Sequence, residues 1–298
     1  MLNETSVTVD WLSYTAFWGS QGLPRHMQHA SRQRLADRVA AGVHVWLEAK
    51  PKHGYTSALS SDDIKGLSVY QNVQRPDMGI HVVWTGRALA ETELFTLMRE
   101  MQALQASVTR IDIAVDVPEH WDIEALYKRG VEKDWVCKVK GKPVMVRSTG
   151  DTLYVGSRTS EKFLRVYDKQ AEQGADFPWT RVELECKGET ARGIAGYIAL
   201  NGLDRIPDLI RGFCDFPNDT AWMKAMTTPT PPLSIPKAER HSDTDTWLLQ
   251  GVMPTLVKRV MESADFAKKF EERWAVLAAA YGGAGEVDIF DGKGDFEL

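Results

Sequence analysis

The chain has 298 residues, of which 43% are hydrophobic and 26% are charged, and its net charge is −5. This composition is typical of a globular protein with a buried core and argues against a protein that coats nucleic acid non-specifically. No apolar run reaches the roughly 20 residues of a membrane helix, and the first residues lack the pattern of a signal peptide. We therefore expect a cytoplasmic protein with no membrane association.

The first part of the chain mixes strand and helix patterns. Valines and Trp11 alternate with Ser and Thr near the amino terminus, as in a strand. Later, apolar residues at helical spacing lead directly into an alternating segment that Pro118 ends. The predicted elements are, in order, a strand at 6–15, a helix at 28–41, strands at 42–49 and 79–85, a helix at 91–106 and a strand at 108–117.

The second part continues with helices and hairpins. Asp122 is a good N-cap residue at the start of a short helical pattern. The predicted elements are a helix at 122–131, a strand and loop at 135–146, a hairpin at 152–168, a strand at 179–187, a helix at 190–200 and more helix toward Met226. Hairpins together with helices favour an α+β fold, with an antiparallel or mixed central sheet flanked by helices.

Composition divides the chain into four parts. The first, 1–226, contains the predicted sheet, and the Pro-rich segment 227–236 marks a linker. Residues 237–282 have a helical pattern and would form a C-terminal helical subdomain. The tail, 283–298, is Gly-rich and acidic, and we expect it to be flexible.

Charge is distributed unevenly along the chain. Between Lys128 and Lys169 there are eleven Lys or Arg residues against five acids, a balance of +6, whereas the tail from Gly283 carries −4. This polarity suits a protein that binds a polyanion at one place. The cysteines, at positions 137, 186 and 214, match no zinc spacing or disulfide framework. They are expected to be buried thiols in a reducing cytoplasm.

Two predicted strands carry acids on one face. In the strand at 108–117, Asp112 and Asp116 share a face but lie roughly 13 Å apart at the usual rise per residue, too far to bind one ion. In the strand at 179–187, Glu183 and Glu185 are about 6.6 Å apart and can converge on one ion. One Asp with one or both glutamates could therefore bind a metal, and all-oxygen ligands favour Mg²⁺ or Mn²⁺.

A tyrosine with neighbouring cations ends the predicted hairpin. Arg165, Tyr167 and Lys169 share a strand face. Nearby cations would favour the charge that develops when a phenol attacks phosphorus. Tyr154 and Tyr14 are rival nucleophiles. The His–apolar–His pair of many nicking enzymes is absent from the sequence, as are the Walker, GxSxG, HExxH and zinc deaminase motifs.

The ordered series TRIDIAVD, YVGSRTSEKFLRVYDK and TRVELECK resembles the replication initiation factor family. This family includes rolling-circle initiators of plasmids and filamentous phages and related relaxases of conjugative elements. The resemblance is best over 107–187 and extends loosely over 5–225. It implies a fold related to the palm-like sheet of the HUH nickases, without their His pair, and site-specific nicking of one DNA strand at an origin in a bacterial host cytoplasm.

The resemblance also implies roles for individual residues. Tyr167 corresponds to the tyrosine that attacks the phosphodiester, becomes linked to the 5′ phosphate and leaves a 3′-OH primer. Lys169 would support the phosphate. Asp112, Glu183 and Glu185 would hold the divalent metal, and Asp116 and Asp10 are reserve ligands. Asp168 departs from the Asn that plasmid members usually have at that position.

DNA at the origin, in a single-stranded or hairpin region, is the expected partner. A host helicase and a second copy of the chain are further expected partners. The predicted DNA contacts are Arg110, Lys138, Lys140, Lys142, Arg147, Arg158, Lys162, Arg165 and Arg181. Unpaired bases could stack on Trp11, Trp18, Trp135 or Trp179. Two alternatives are a relaxase that mobilises a conjugative element and a non-catalytic origin or operator-binding protein.

Overall fold

The computed structural model describes residues 4–16, 45–72, 74–75, 78–103, 106–237 and 253–281. It divides into two compact units, Met1–Arg240 and His241–Leu298. The predicted helix at 28–41, Trp18 and the acidic tail lie outside the described residues. No helix within the described ranges combines the length and the apolar character needed to cross a membrane.

Ten strands of the first unit form one sheet. The strands are β1 (Ser6–Ala16), β2 (Trp46–Ala49), β3 (Ser57–Ser61), β4 (Leu67–Gln71), β5 (Ile80–Thr85), β6 (Ser107–Val117), β8 (Val144–Arg147), β9 (Asp151–Gly156), β10 (Lys162–Asp168) and β11 (Thr180–Lys187). Their order in the sheet is β2-β3-β4-β5-β1-β6-β11-β10-β9-β8, and every pairing is antiparallel. A separate two-stranded ribbon pairs β7 (Val136–Cys137) with β12 (Cys214–Asp215).

Helices of the first unit flank this sheet. They are α1 (Gly86–Ala90), α2 (Leu94–Ala103), α3 (Ile123–Glu132), α4 (Lys169–Gln173), α5 (Gly188–Asn201), α6 (Ile206–Arg211) and α7 (Thr220–Met226). The second unit, described by itself, contains α8 (Met253–Glu262) and α9 (Ala264–Tyr281). The predicted α+β class with an antiparallel sheet flanked by helices is confirmed.

Most predicted elements of the first unit are present. Asp122 caps α3 by accepting a hydrogen bond from the Ala125 amide (2.9 Å), as its N-cap pattern predicted. The helix predicted at 91–106 is present as the shorter α2, Leu94–Ala103, and a separate short helix, α1, precedes it at Gly86–Ala90. The backbone amide of Thr92 bonds to Leu89, which ends the first helix before the second begins. Strands β3 and β4 were not predicted.

The two faces of the central strands differ in chemistry. On β6 the side chains of Ile111, Ile113 and Val115 are fully buried, and they belong to the main hydrophobic core together with Leu184 of β11. Helix α5 packs on β6 and β11, and Ile194 on that helix is also fully buried in this core. The alternate residues of the same strands therefore point to the opposite face.

Candidate active site

Three adjacent strands bring the predicted site residues onto that opposite face. In the pairing register, Tyr167 on β10 lies opposite Arg181 on β11, which lies opposite Asp116 on β6. Two residues along, Arg165 lies opposite Glu183. Residues directly opposite each other share a face of a sheet. We call this surface the charged face; it comprises Asp10, Arg110, Asp112, Asp116, Arg165, Tyr167, Lys169, Arg181, Glu183 and Glu185.

The hydroxyl of Tyr167 lies between an acid and an amine. It donates a hydrogen bond to Oε2 of Glu183 (2.9 Å) and is 3.4 Å from Nζ of Lys169. Lys169 also bonds to Glu172 at 2.5 Å. Burial, followed by the charge of Glu183, raises the pKa of Tyr167 well above its usual value. The resting phenol is therefore protonated, with a carboxylate already positioned to accept its proton.

Arg165 joins Tyr167 to the acids. Its guanidinium pairs with Glu183 and lies 3.6 Å from Asp112. The Nε group of Arg165 is buried and has no hydrogen-bond acceptor among the described residues. A buried donor without a partner is unusual in folded proteins and costs free energy unless a ligand or water satisfies it. This nitrogen is therefore suited to donate to an anion that binds beside Tyr167.

Arg181 is held by two acids. Its Nε and Nη2 donate to the two carboxylate oxygens of Asp116, each at 2.7 Å, and Nη1 pairs with Asp10. Burial opposes the charge on this arginine, but Asp116 and then Asp10 outweigh it and raise its pKa. Asp10 sits at an irregularity of β1, where the register shifts between Val9 and Trp11. Arg181 is thus a fixed, buried cation rather than a surface residue.

A glycine makes room for Asp10. Gly86 begins α1, and a Cβ atom built there would overlap the Asp10 carboxylate and lie 3.1 Å from the Asp10 backbone oxygen. Burial raises the pKa of Asp10, although Arg181 lowers it. A side chain at position 86 would therefore displace the acid that Arg181 contacts.

Arg110 lies between two predicted metal ligands. It donates to Asp112 through Nε (2.8 Å) and Nη2 (2.5 Å), and Nη2 is also 2.9 Å from Glu185. Lys187 pairs with Glu185 as well, at 2.6 Å. No group of three His, Cys, Asp or Glu residues within the described ranges could hold a metal ion. In this arrangement each predicted ligand is bound by a cationic side chain, so a metal ion would have to compete with Arg110, Arg165 and Lys187 for these carboxylates.

The ion pair with Arg110 stabilises the charged form of Asp112. Its carboxyl is 1% exposed, and burial raises its pKa to about 7, although Arg110 lowers it. Glu183 and Glu185 raise it further by repulsion. Arg110 and Arg165 therefore help to keep Asp112, Glu183 and Glu185, three of the five acids of the charged face, compatible with burial.

The predicted DNA contacts fall into two groups. Arg110, Arg165 and Arg181 belong to the charged face and are paired with acids. The remaining residues lie toward the β8 edge of the sheet, mostly exposed: Lys138, Lys140, Lys142, Arg147, Arg158 and, half-buried, Lys162. In this group Arg147 pairs with Glu124 at 2.7 Å, and Lys162 lies over the Phe213 ring at 5.8 Å. The second group is therefore the more exposed of the two.

The rival tyrosines have other surroundings. Tyr14 is fully buried in the main core, and its hydroxyl has no partner among the described residues. Tyr154 lies opposite Arg165 on the same sheet face, but its ring stacks on Phe163 with centroids 5.4 Å apart. Among these three, Tyr167 is the tyrosine whose hydroxyl donates to a carboxylate.

An aromatic pair lies beside Tyr167, and the sequence analysis named only one of its two members, Trp179. Trp179 and Phe177 stack with ring centroids 5.7 Å apart, and both are half-buried. The Trp179 indole donates a hydrogen bond to Asp116 (2.7 Å). The backbone carbonyl of Trp179 accepts a hydrogen bond from the Lys169 amide (2.8 Å). The sequence patterns did not predict that Phe177 stacks on Trp179. The signal that could have shown it is the tripeptide FPW, which places two aromatic residues directly before the acidic strand. Trp135, by contrast, packs on Phe216 at 5.5 Å.

Comparison with known proteins relates this geometry to a family. The model of the family described as replication initiation factor matches residues 106–206, which include β6, β10 and β11. A solved structure, described as the rolling circle replication initiator protein from Geobacillus stearothermophilus, shares the fold with a TM-score of 0.62 at 22% identity. The match covers 79% of this chain and 100% of that chain. No curated protein matches the chain. The resemblance seen in the sequence is therefore confirmed.

Proposed function

We propose that this protein initiates rolling-circle DNA replication by nicking one strand at an origin through Tyr167. The hydrogen bond from the Tyr167 hydroxyl to Glu183 carries this proposal. It lies within the segment that matches the replication initiation factor family and on the face that holds the unpartnered Arg165 nitrogen. The match to a rolling-circle initiator structure supports the same reading at the level of the fold.

The proposed step is a transesterification. The Tyr167 oxygen forms a bond to phosphorus while the bond from phosphorus to the 3′ oxygen of the preceding nucleotide breaks. The phenolic proton passes to Glu183, and the departing 3′ oxygen takes a proton from water to become a hydroxyl. One ester replaces another, so the reverse reaction can reseal the strand without ATP. The raised pKa of Tyr167 favours proton transfer during the attack over a free phenolate beforehand.

The cations around Tyr167 would stabilise the charge that builds up on the phosphate. Lys169 is 3.4 Å from the nucleophilic oxygen, and Arg165 offers its free Nε from the neighbouring pair. Fixed donors in a partly dry site are worth more than the same groups in water, since they need no reorganisation during the reaction. Arg181 would act indirectly, by holding Asp116 and Asp10 in place.

The same face offers contacts for the flanking DNA. The Phe177–Trp179 stack adjoins Lys169 and is half-buried, so an unpaired base next to the nick can stack on it. The exposed lysines at 138, 140 and 142 would bind the backbone further along, with an affinity that falls as salt rises. The requirement for Mg²⁺ or Mn²⁺, a helicase and a second copy of the chain stay predictions, and no step above depends on them.

The experiment uses supercoiled DNA of the replicon that encodes the protein, incubated with Mg²⁺ or Mn²⁺. We expect nicked circles that carry covalently attached protein, and digestion should leave the DNA on the peptide containing Tyr167. Tyr167→Phe should bind the DNA and form no adduct, whereas Tyr154→Phe should react normally. An adduct on Tyr154 would refute the assignment. Binding without nicking by the wild-type protein would favour the non-catalytic alternative.

A further inference from the structure

Two of the three cysteines face each other in the small ribbon formed by β7 and β12. Cys137 lies directly opposite Cys214 in the pairing register. The ribbon lies at the start of the exposed lysine segment, because Lys138 follows Cys137 immediately. The sequence did not predict this pairing, because a long stretch of chain separates Cys137 from Cys214 and the cysteines match no disulfide framework.

The backbone bonding fixes the geometry of the pair. The Lys138 amide donates to the Phe213 carbonyl at 3.1 Å, so the Lys138 and Phe213 positions form a hydrogen-bonded pair. In an antiparallel ladder the next pair along is a non-hydrogen-bonded one, whose Cα atoms are about 4.5 Å apart. Disulfides need Cα separations of about 4.4–6.8 Å. The Cys137 and Cys214 pair is therefore within bridging range with little backbone movement.

The two thiols differ in reactivity. Cys137 is partly exposed, and a hydrogen bond from Cys214 lowers its pKa, helped by the Val139 amide 3.4 Å from its sulfur. Cys214 is buried, and burial raises its pKa. A thiolate is the species that reacts with oxidants, so Cys137 is the thiol expected to react first.

We propose that Cys137 and Cys214 are an oxidisable pair that closes into a disulfide in the presence of a peroxide. The Cys137 sulfur gives two electrons to the peroxide, which is reduced to water or an alcohol, and becomes a sulfenic acid. The Cys214 sulfur then bonds to it and displaces water. A dithiol reductant restores both thiols by exchange.

Closure of the bridge would restrain the lysine segment. On one side, β12 is firmly placed, because Cys214 and Phe216 are fully buried and Asp215 accepts a hydrogen bond from Trp222 (2.7 Å). On the other side, β7 is two residues long and leads into exposed Lys138, Lys140 and Lys142. A covalent bond across this short ribbon would hold its far strand in place. This inference about the thiols does not rest on the proposed DNA chemistry.

The test treats the full-length protein with hydrogen peroxide, blocks free thiols, and maps disulfides by mass spectrometry without reduction. We expect a peptide pair joining Cys137 to Cys214, with the mass of two lost hydrogen atoms, reversed by dithiothreitol. Cys186→Ala should form the same bridge, since that thiol is fully buried in the main core. Cys137→Ser should form none, and its position at a partly exposed site makes it the variant expected to fold normally.

Hydrogen exchange measures the restraint separately. In the oxidised protein the Lys138 amide, bonded to Phe213, should exchange more slowly than in the reduced protein, while peroxide-treated Cys137→Ser should show no change. Absence of the joined peptides, or a bridge from Cys186 instead, would overturn the oxidisable pair. A bridge without slower exchange would overturn the restraint.

Discussion

Replacing Glu183 with Gln isolates the proton acceptor proposed for Tyr167. Gln keeps the size of the side chain and can still accept the hydrogen bond that Tyr167 donates at 2.9 Å. It can no longer take up the phenolic proton or neutralise Arg165, its ion-pair partner. The change therefore removes the chemistry while leaving most of the shape of the charged face.

The size of the effect follows from these contacts. Positioned general bases contribute about 10²–10⁴-fold, so adduct formation should slow by about 10²-fold or more. Glu183 is 1% exposed, and its loss leaves Arg165 with Asp112 at 3.6 Å. Because that second acid remains, we expect a loss of about 1–3 kcal/mol in the free energy of unfolding, the cost of one weakened buried group.

The assay is single-turnover formation of the covalent adduct with excess protein, together with thermal unfolding of each variant. Glu172→Gln is the matched control, because Glu172 contacts Lys169 on the other side of the tyrosine and is 49% exposed. We expect the control to react nearly as fast as the wild-type protein. If Glu183→Gln is folded and reacts as fast as the control, Glu183 is not the proton acceptor and the mechanism is wrong.

Three further predictions address the charged face and the exposed lysines. Gly86→Ala should lower the free energy of unfolding by about 1–3 kcal/mol, because the new Cβ atom would collide with Asp10. Gly196 has open space around it, so Gly196→Ala should not lower the free energy of unfolding. Chemical denaturation measures both variants, and equal effects would contradict the steric argument. Arg110→Ala removes the cation that contacts both Asp112 and Glu185, so Mn²⁺ should raise the melting temperature of this variant more than that of the wild-type protein. An equal rise would show that the arginine does not compete with a metal. Lys140→Ala should reduce the slope of log affinity for DNA against log salt concentration by about one, the value for one lost phosphate contact. Titrations at several salt concentrations measure this slope. An unchanged slope would show that this lysine does not contact the DNA.

The strands that carry the site were readable because their apolar residues alternate cleanly. The segment TRIDIAVD places every second side chain in the core, and the structure has β6 in that place. The strands SALSS and LSVYQ were missed because Ser and Ala give little contrast between their faces. The helix at 91–106 was drawn too long because helical spacing alone does not show where backbone bonding stops.

The sequence by itself determined the α+β class, the strands of the charged face and Tyr167 as the candidate nucleophile, since these depend on local periodicity and on motifs a few residues long. Only the tertiary structure decided which groups meet. Asp10 reaches Arg181, Arg110 reaches Glu185 on the neighbouring strand, and Cys137 faces Cys214. These contacts join residues far apart in the chain, and their partners are set by strand order and register, which the packing of the whole sheet fixes.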